Sequence, residues 1–255
     1  MNDSTDQPSL RIMTYNVHSG VGTDGKLDLA RIAEVIASQE PDVVALQELD
    51  VSRARSGRAH QARIIAEHLD MCFHFHPAQR IQEEEEYGDA ILSRWPMHLR
   101  QAAELPTVQE RLAFEPRGAL WASVEVHGRP VQVMNTHLGL SNNERIKQID
   151  ALLGPEWLAH PDCGTPSILC GDFNALPYSR VHRKACHAMT DTQRAVPGRR
   201  ARATFPSRWP LLRLDYIFIS QGLKCQSTRV VNTPLARLAS DHLPLVAEVE
   251  FTTAI

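Results

Sequence analysis

The sequence predicts an α/β fold of packed sheets flanked by helices. About ten short strand-like runs and roughly three or four amphipathic helical stretches alternate along the chain. Several strand-to-strand connections are short enough for hairpins, which favours largely antiparallel sheets. No internal repeat, long linker or low-complexity tract divides the 255 residues. The expected organisation is a flexible polar N-terminus over 1–9 and a single domain over 10–255.

The elements follow in order. "LRIMTYNV" reads as a strand. "DLARIAEVIASQE" reads as a helix, with Leu29, Ile32, Ala33 and Ile36 at helical spacing, Asp28 as N-cap and Pro41 beyond its end. "DVVALQEL" is a buried strand by its β-branched run, and "HQARIIAEHL" is a second helix. "GDAILS", "GALWASVEV" and "RPVQVMNTHL" are strands, the last two joined at His127 to Arg129 as a hairpin. In "SNNERIKQIDALLGP", Ser141 and Glu144 have capping-box spacing, Ile146, Ile149 and Leu153 make an apolar stripe, and Gly154 with Pro155 stops the helix. "SILCGD", "LDYIFIS", "CQSTRVV" and "LPLVAEVEF" complete the strands, with His74 and His76 of "FHFH" read as strand residues.

Composition narrows the class. The chain is 43% hydrophobic and 22% charged, ordinary for a protein with a sizeable core. A net charge of −3 lacks the basic surplus of a domain that wraps duplex nucleic acid. The five cysteines Cys72, Cys163, Cys170, Cys186 and Cys225 are widely spaced and form no C-x-x-C pair, which argues for reduced thiols over a disulfide frame or a zinc site. "MNDSTDQPSL" has neither the basic start nor the apolar centre of a signal peptide, and no apolar run of about 18 residues could span a bilayer. A cytoplasmic monomer is the expectation.

Polar residues end or begin the apolar runs in a consistent way. Asn16, Glu48 and His137 close strands, and Asp172 with Asn174 closes "SILCGDFN", whereas Asp215, Asp241 and His242 precede strands. In antiparallel pairs the start of one strand lies beside the end of its neighbour, so one rim can gather them all. Each residue taken singly has an ordinary reading as turn, strand end or satisfied core histidine; together they are harder to dismiss. A hard cation such as Mg²⁺ takes oxygen ligands of the kind that Asn16, Glu48, Asp172, Asn174 and Asp241 supply. His242 can act as a base if Asp215 holds its other ring nitrogen, and His137 can bind or protonate phosphoryl oxygens.

The motifs "TYNVHSG", "LQELD", "YGDAILSR", "NTHLG", "GDFNALP", "LDYIFIS" and "SDHLP" resemble, in this order, those of the endonuclease/exonuclease/phosphatase superfamily. The likeness runs from about Leu10 to Val249, nearly the whole chain, and suggests a small bacterial-type member. It implies a four-layer α/β/β/α sandwich of two mainly antiparallel sheets flanked by helices, deoxyribonuclease I-like, with one or two Mg²⁺ or Mn²⁺ ions at one rim. By matching motif, Glu48 is the principal metal ligand, with Asn16, Asp172, Asn174, Asp241 and His242 contributing. Asp172 and Asn174 orient water, His242 with Asp215 resembles the family's His and Asp pair, with either Asp172 or His242 as the general base, and His137 contacts phosphate. Tyr87 matches a phosphate-contacting tyrosine, Asp89 an acidic partner that orients His137, and Arg117 in "EPRGALW" a contact to substrate phosphate.

The implied activity is a metal-dependent phosphoesterase, foremost a phosphodiesterase acting on a small or lipid-like phosphodiester. A DNA endonuclease or exonuclease is the first alternative, and a non-catalytic metal-binding or regulatory module the second. The acidic run Glu83 to Glu86, just before Tyr87, would repel a polyanionic duplex. The arginine-rich segment from Arg194 to Arg213 would line the opposite wall of the cleft and clamp an anionic headgroup or a nucleic-acid backbone. No phosphate loop, zinc-helix motif or serine nucleophile elbow points to another enzyme class.

Overall fold

The computed structural model describes residues 9–81, 84–108, 115–164 and 166–252. In chain order the elements are β1 (Ser9–Asn16), α1 (Leu29–Ala37), β2 (Val43–Val51), α2 (Gln61–Leu69), β3 (Cys72–Ile81), β4 (Glu85–Ser93), β5 (Met97–Glu104), β6 (Gly118–Val126) and β7 (Arg129–His137). They continue with α3 (Asn142–Leu152), β8 (Ser167–Asp172), α4 (Arg180–Ala188), β9 (Thr190–Asp191), α5 (Thr192–Ala195), β10 (Asp215–Ile219), β11 (Leu223–Val230), α6 (Pro234–Ala239) and β12 (Leu245–Phe251).

Strand alternation sorts the apolar residues into three layers of core. Leu10, Ile12, Val43, Ala45 and Ile91 of one sheet meet Leu120, Val133, Ile168 and Ile217 of the other. The opposite face of the first sheet, with Met13, Tyr15, Val44 and Leu46, packs on Ile32, Ile36 and Ile65 of α1 and α2. The opposite face of the second, with Trp121, Met134, Leu169 and Phe218, packs on Ile149, Leu152 and Val181 of α3 and α4. Two six-stranded sheets with helices outside result, in the orders β11-β12-β1-β2-β4-β3 and β5-β6-β7-β8-β10-β9.

Each sheet holds one parallel pair, β1–β2 and β7–β8, and each pair is joined through a helix, α1 or α3. Their registers set Asn16 opposite Gln47 and His137 opposite Asp172, so four strand ends reach the same edge of the sandwich. The antiparallel neighbours begin there: Leu245 of β12 pairs with Thr14, Asp215 of β10 with Asp172, and Ala119 of β6 with Thr136. The rim expected from the strand starts and ends is therefore a product of topology.

Local chemistry agrees with the sequence in most elements. Asp28 caps α1 by accepting from the Arg31 amide, and His127 and Gly128 turn the β6–β7 hairpin with φ of 50° and 74°, as a tight two-residue turn requires. The α3 start differs. Ser141 is its N-cap residue without a side-chain hydrogen bond, and the Glu144 carboxylate is buried without a partner, so the capping box does not form. The buried face of α3 is Glu144, Gln148, Ile149 and Leu152, with Ile146 and Leu153 only partly covered, because Gln148 turns inward to accept the Gly139 amide. Ser9, expected in a flexible end, starts β1, while residues 1–8 lie outside the described residues. Among the described residues no helix is long and apolar enough to cross a membrane.

Candidate active site at the rim of the sandwich

Most of the rim side chains continue the apolar face that lines the gap between the sheets. Side chains two residues apart on a strand share a face. Ile12 thus leads to Asn16, Val133 to His137, Ile168 to Asp172, Ile217 to Asp215, and Ile91 to Asp89 and Tyr87. Gly171 makes the last step of β8 possible: its φ is +138°, and a side chain there would run into the Thr136 carbonyl of β7.

Glu48 is the exception. It follows Val44 and Leu46, whose side chains face the helices. A bulge sets Gln47 and Glu48 against the single residue Asp89, and Glu48 takes φ +63°. This breaks the phase and brings the carboxylate to the rim. Asn135 of the second sheet repairs the broken ladder: its amide donates to the carbonyls of Leu46 and Ala90, 2.8 Å each, while Gln47 donates to its Oδ1 at 2.7 Å.

At the centre, Asn16 Nδ2 donates to Glu48 Oε1 (2.8 Å) and to Asp172 Oδ2 (3.1 Å). Asn16 Oδ1 accepts the His18 amide at 3.0 Å, which fixes the orientation of the group. Asn16 therefore meets the rim through its NH₂, where the sequence suggested an oxygen ligand. Asn174, at φ +47°, gives its backbone N–H to Asp172 Oδ1 (2.8 Å) and its side-chain NH₂ to the Leu138 carbonyl (2.9 Å). Its Nδ2 also lies 3.0 Å from His137 Nε2; with Arg117 donating to Nδ1 both of these atoms carry hydrogen, so this contact is not a hydrogen bond.

His242 donates from Nδ1 to Asp215 Oδ2 at 2.9 Å, and its Nε2 lies 3.6 Å from Asp172 Oδ2. Burial opposes charge on His242, but Asp215, Asp172 and Asp241 outweigh it and hold the imidazole well above its ordinary pKa. Burial raises the Asp172 carboxyl, and Asp215 adds to the effect. His137 is pushed the other way, down, by burial and by the cations of Arg117 and His242.

His137 is oriented by a different residue from the one expected. Arg117 Nη1 donates to His137 Nδ1 at 2.8 Å, and Arg117 Nη2 is paired with Glu115 at 2.9 Å. With Nδ1 accepting, Nε2 carries the proton and faces Asp172 Oδ2 (3.5 Å) and Glu48 Oε1 (3.9 Å). Asp89 has no hydrogen bond to His137; it is buried, and burial raises its pKa to about 8.

The cleft above these groups has a volume of about 750 Å³. Arg55, Tyr87, Glu115 and Arg117 contribute polar groups to it, and Leu140, Phe205 and Leu214 contribute an apolar wall. The guanidinium carbons of Arg53 and Arg55 lie 5.7 and 5.6 Å from the Tyr87 ring centre, and Phe205 packs 4.8 Å from the His242 ring. Asp241, half-buried, lines the same cleft as Glu48 and Asp172. Asp50 and Glu115 on this cleft are paired with arginines, which leaves Glu48, Asp172 and Asp241 as its carboxylates without an arginine partner among the described residues, their hydrogen-bond donors being chiefly amides. That oxygen-rich set, without a thiol, fits a hard divalent cation.

Two expectations about the cleft walls change. No arginine of the Arg194 to Arg213 segment lines the cleft; its contribution there is Phe205, with Leu214 just beyond its end. Arg213 is buried against Asp191, Arg194 covers the Tyr178 ring, and Arg199, Arg200 and Arg202 line a separate cavity. Of the acidic run, Glu83 lies outside the described residues, Glu85 and Glu86 pair with Arg53 and Arg80, and neither lines the cleft. Sequence reasoning passed over Glu115, Arg55, Asn135 and Phe205. Only the same-face spacing of Asn135 with His137 and of Glu115 with Arg117 hinted at two of them.

Residues 13–242 match the model of a family described as the Endonuclease/Exonuclease/phosphatase family. An uncharacterized protein of Escherichia coli, YbhP, is 28% identical over 98% of this chain and 99% of its own length. An endonuclease/exonuclease/phosphatase from Beutenbergia cavernae superposes with a TM-score of 0.79 at 27% identity, covering 97% of this chain and 73% of that one. A mannosyl-6-phosphatase of Bacteroides thetaiotaomicron shares the fold with a TM-score of 0.77 at 18% identity, over 95% of this chain and 100% of its own.

Proposed function

Because the chain belongs to the endonuclease/exonuclease/phosphatase family, we propose that it is a divalent-cation-dependent phosphodiesterase acting on a small or lipid-like phosphodiester by attack of water at phosphorus. The observation that carries this reading is the convergence of Glu48, Asp172, Asp241, His137 and His242 on one cleft of about 750 Å³. That size suits a headgroup, not a duplex.

Glu48, Asp172 and Asp241 are the residues assigned to hold Mg²⁺ or Mn²⁺. When bound, the ion supplies charge neutralisation at phosphoryl oxygens and makes water easier to ionise. The chain's own groups do the rest. Asn16 and Asn174 each grip one oxygen of Asp172 and fix the carboxylate in place. The pair of Asp172 and His242, 3.6 Å apart, accepts the proton of attacking water and returns one to the leaving oxygen. Asp215 restricts that exchange to His242 Nε2 by holding Nδ1–H. His137, kept neutral and locked by Arg117, offers Nε2–H to a phosphoryl oxygen, with Tyr87 lining the same cleft.

The test is hydrolysis of bis(p-nitrophenyl) phosphate with Mg²⁺ or Mn²⁺. The expected result is turnover that chelator abolishes and Glu48→Ala removes; turnover surviving both overturns the proposal. Nicking of plasmid DNA at a rate matching the ester would replace the small-substrate assignment with a nuclease.

A further inference from the structure

Outside the cleft, a second cavity of about 680 Å³ is lined by Arg199, Arg200, Arg202 and Arg229, and no carboxylate is among its described lining residues. Arg199 gives Nη1 to the Thr228 carbonyl and Arg229 gives Nε to Gln39, which leaves most of their donors available, since a guanidinium carries five N–H groups. A concentration of guanidinium groups without an acid is a place for anions.

This cavity continues toward an apolar tip. A smaller hollow of about 310 Å³ shares Arg202 and Val230 with it and reaches Pro210. Pro210 sits in a hairpin-like loop closed where Phe205 and Leu212 pair, with the Leu211 and Leu212 amides donating to the Phe205 carbonyl at 2.9 and 2.7 Å. At the tip, Trp209 is 78% exposed and Leu211 79%, with exposed Arg208 beside them. The root is tied to the site: the Ser207 amide donates to the Asp241 carbonyl at 2.6 Å, and Phe205 stands against His242 in the cleft. Leu140, which also lines that cleft, is 69% exposed.

An indole and a leucine projecting beside clustered arginines is the composition that seats at a bilayer interface, with apolar groups at headgroup level and cations on anionic lipid. We propose that this loop docks on an anionic phospholipid bilayer through Trp209 and Leu211, while the cavity of Arg199, Arg200, Arg202 and Arg229 takes a lipid phosphate. Docking there presents the cleft to the surface and makes its substrate a lipid phosphodiester; that last step rests on the function proposed above.

The experiment is sedimentation of the full chain, in the presence of chelator, with vesicles of phosphatidylcholine containing phosphatidylserine. The expected result is binding with a blue shift in tryptophan emission, and much weaker binding to phosphatidylcholine alone. Trp121 and Trp157 are buried and Trp95 is partly buried, so the shift reports mainly on Trp209. Trp209→Ala with Leu211→Ala lowers vesicle binding at least about tenfold. Arg199→Ala with Arg200→Ala lowers binding and flattens its salt dependence. Both pairs are exposed, and unchanged melting temperatures establish that the variants fold. Equal binding by wild type and the tip variant overturns the proposal, as does absence of binding to anionic vesicles. Tight binding of inorganic phosphate or of an oligonucleotide by protein that ignores vesicles overturns it equally. Because no turnover is measured, failure of docking and failure of the hydrolytic reading are separate results.

Discussion

Two buried histidine–aspartate pairs occur in this protein at nearly the same distance, 2.9 Å for His242–Asp215 and 3.0 Å for His182–Asp191. Their surroundings differ. His182, on α4, accepts the Tyr178 amide at Nδ1 and donates from Nε2 to Asp191, whose other oxygen receives the Gln193 amide and Arg213. Every polar atom of that pair has a partner, and it ties a helix to the edge strand β9. The rim pair joins the start of β10 in the second sheet to the loop before β12 in the first. There Asp215 Oδ1 is buried without a partner, and His242 lines the cleft. A closed network rigidifies, whereas a histidine with one nitrogen still available can move protons.

The contrast breaks if the two histidines behave alike. His242→Ala is expected to cut ester hydrolysis per folded molecule by about 10²- to 10⁴-fold. Asp191→Ala is expected instead to cost about 3–5 kcal/mol in urea unfolding because Arg213 is left buried and unpaired, with activity per folded molecule intact. Equal rate losses in both variants would end the distinction.

Acid unfolding sharpens it. Burial favours a raised pKa for Asp191, but hydrogen bonds from His182 and Arg213 outweigh that and hold the carboxyl below its ordinary 3.8. The pair therefore stabilises the fold fully above pH 3.8, and the contribution is lost as pH falls through the lower folded value. Stability measured against pH should lose this acid limb in Asp191→Ala. Asp215→Asn, which keeps the shape but removes the charge, should lower turnover roughly 10- to 100-fold. The smallest effect belongs to Asn135→Ala, at about 1–3 kcal/mol, because it strips the Leu46 and Ala90 carbonyls of their donor. Its turnover should fall as well, since the bulge that aims Glu48 loses its support.

Much of this was readable along the chain. The strands ending at Asn16, His137 and Asp172 show their apolar alternation, and same-face spacing puts the polar residue at the mouth of the gap between the sheets. The β6–β7 hairpin and the Asp28 cap were local events with local signals. Helix α4 escaped notice because its exposed face is crowded with arginine, histidine and lysine, and only Val181, His182 and Ala185 are buried. Strand β5, an edge strand with exposed Leu99 and Arg100, lacks a clean alternation for the same reason.

Sequence by itself determined which residues could carry the chemistry and on which strand face most of them stand, since both follow from residue type and a two-residue period. Only the tertiary structure decided how they engage. It turned Glu48 to the rim through a bulge and gave His137 to Arg117 in place of Asp89. It turned the NH₂ of Asn16 toward Asp172, 156 positions away in the chain, and opened one histidine–aspartate pair to a cleft while closing the other. Those outcomes depend on which carbonyls, amides and cations distant segments bring together, and no local pattern encodes such partners.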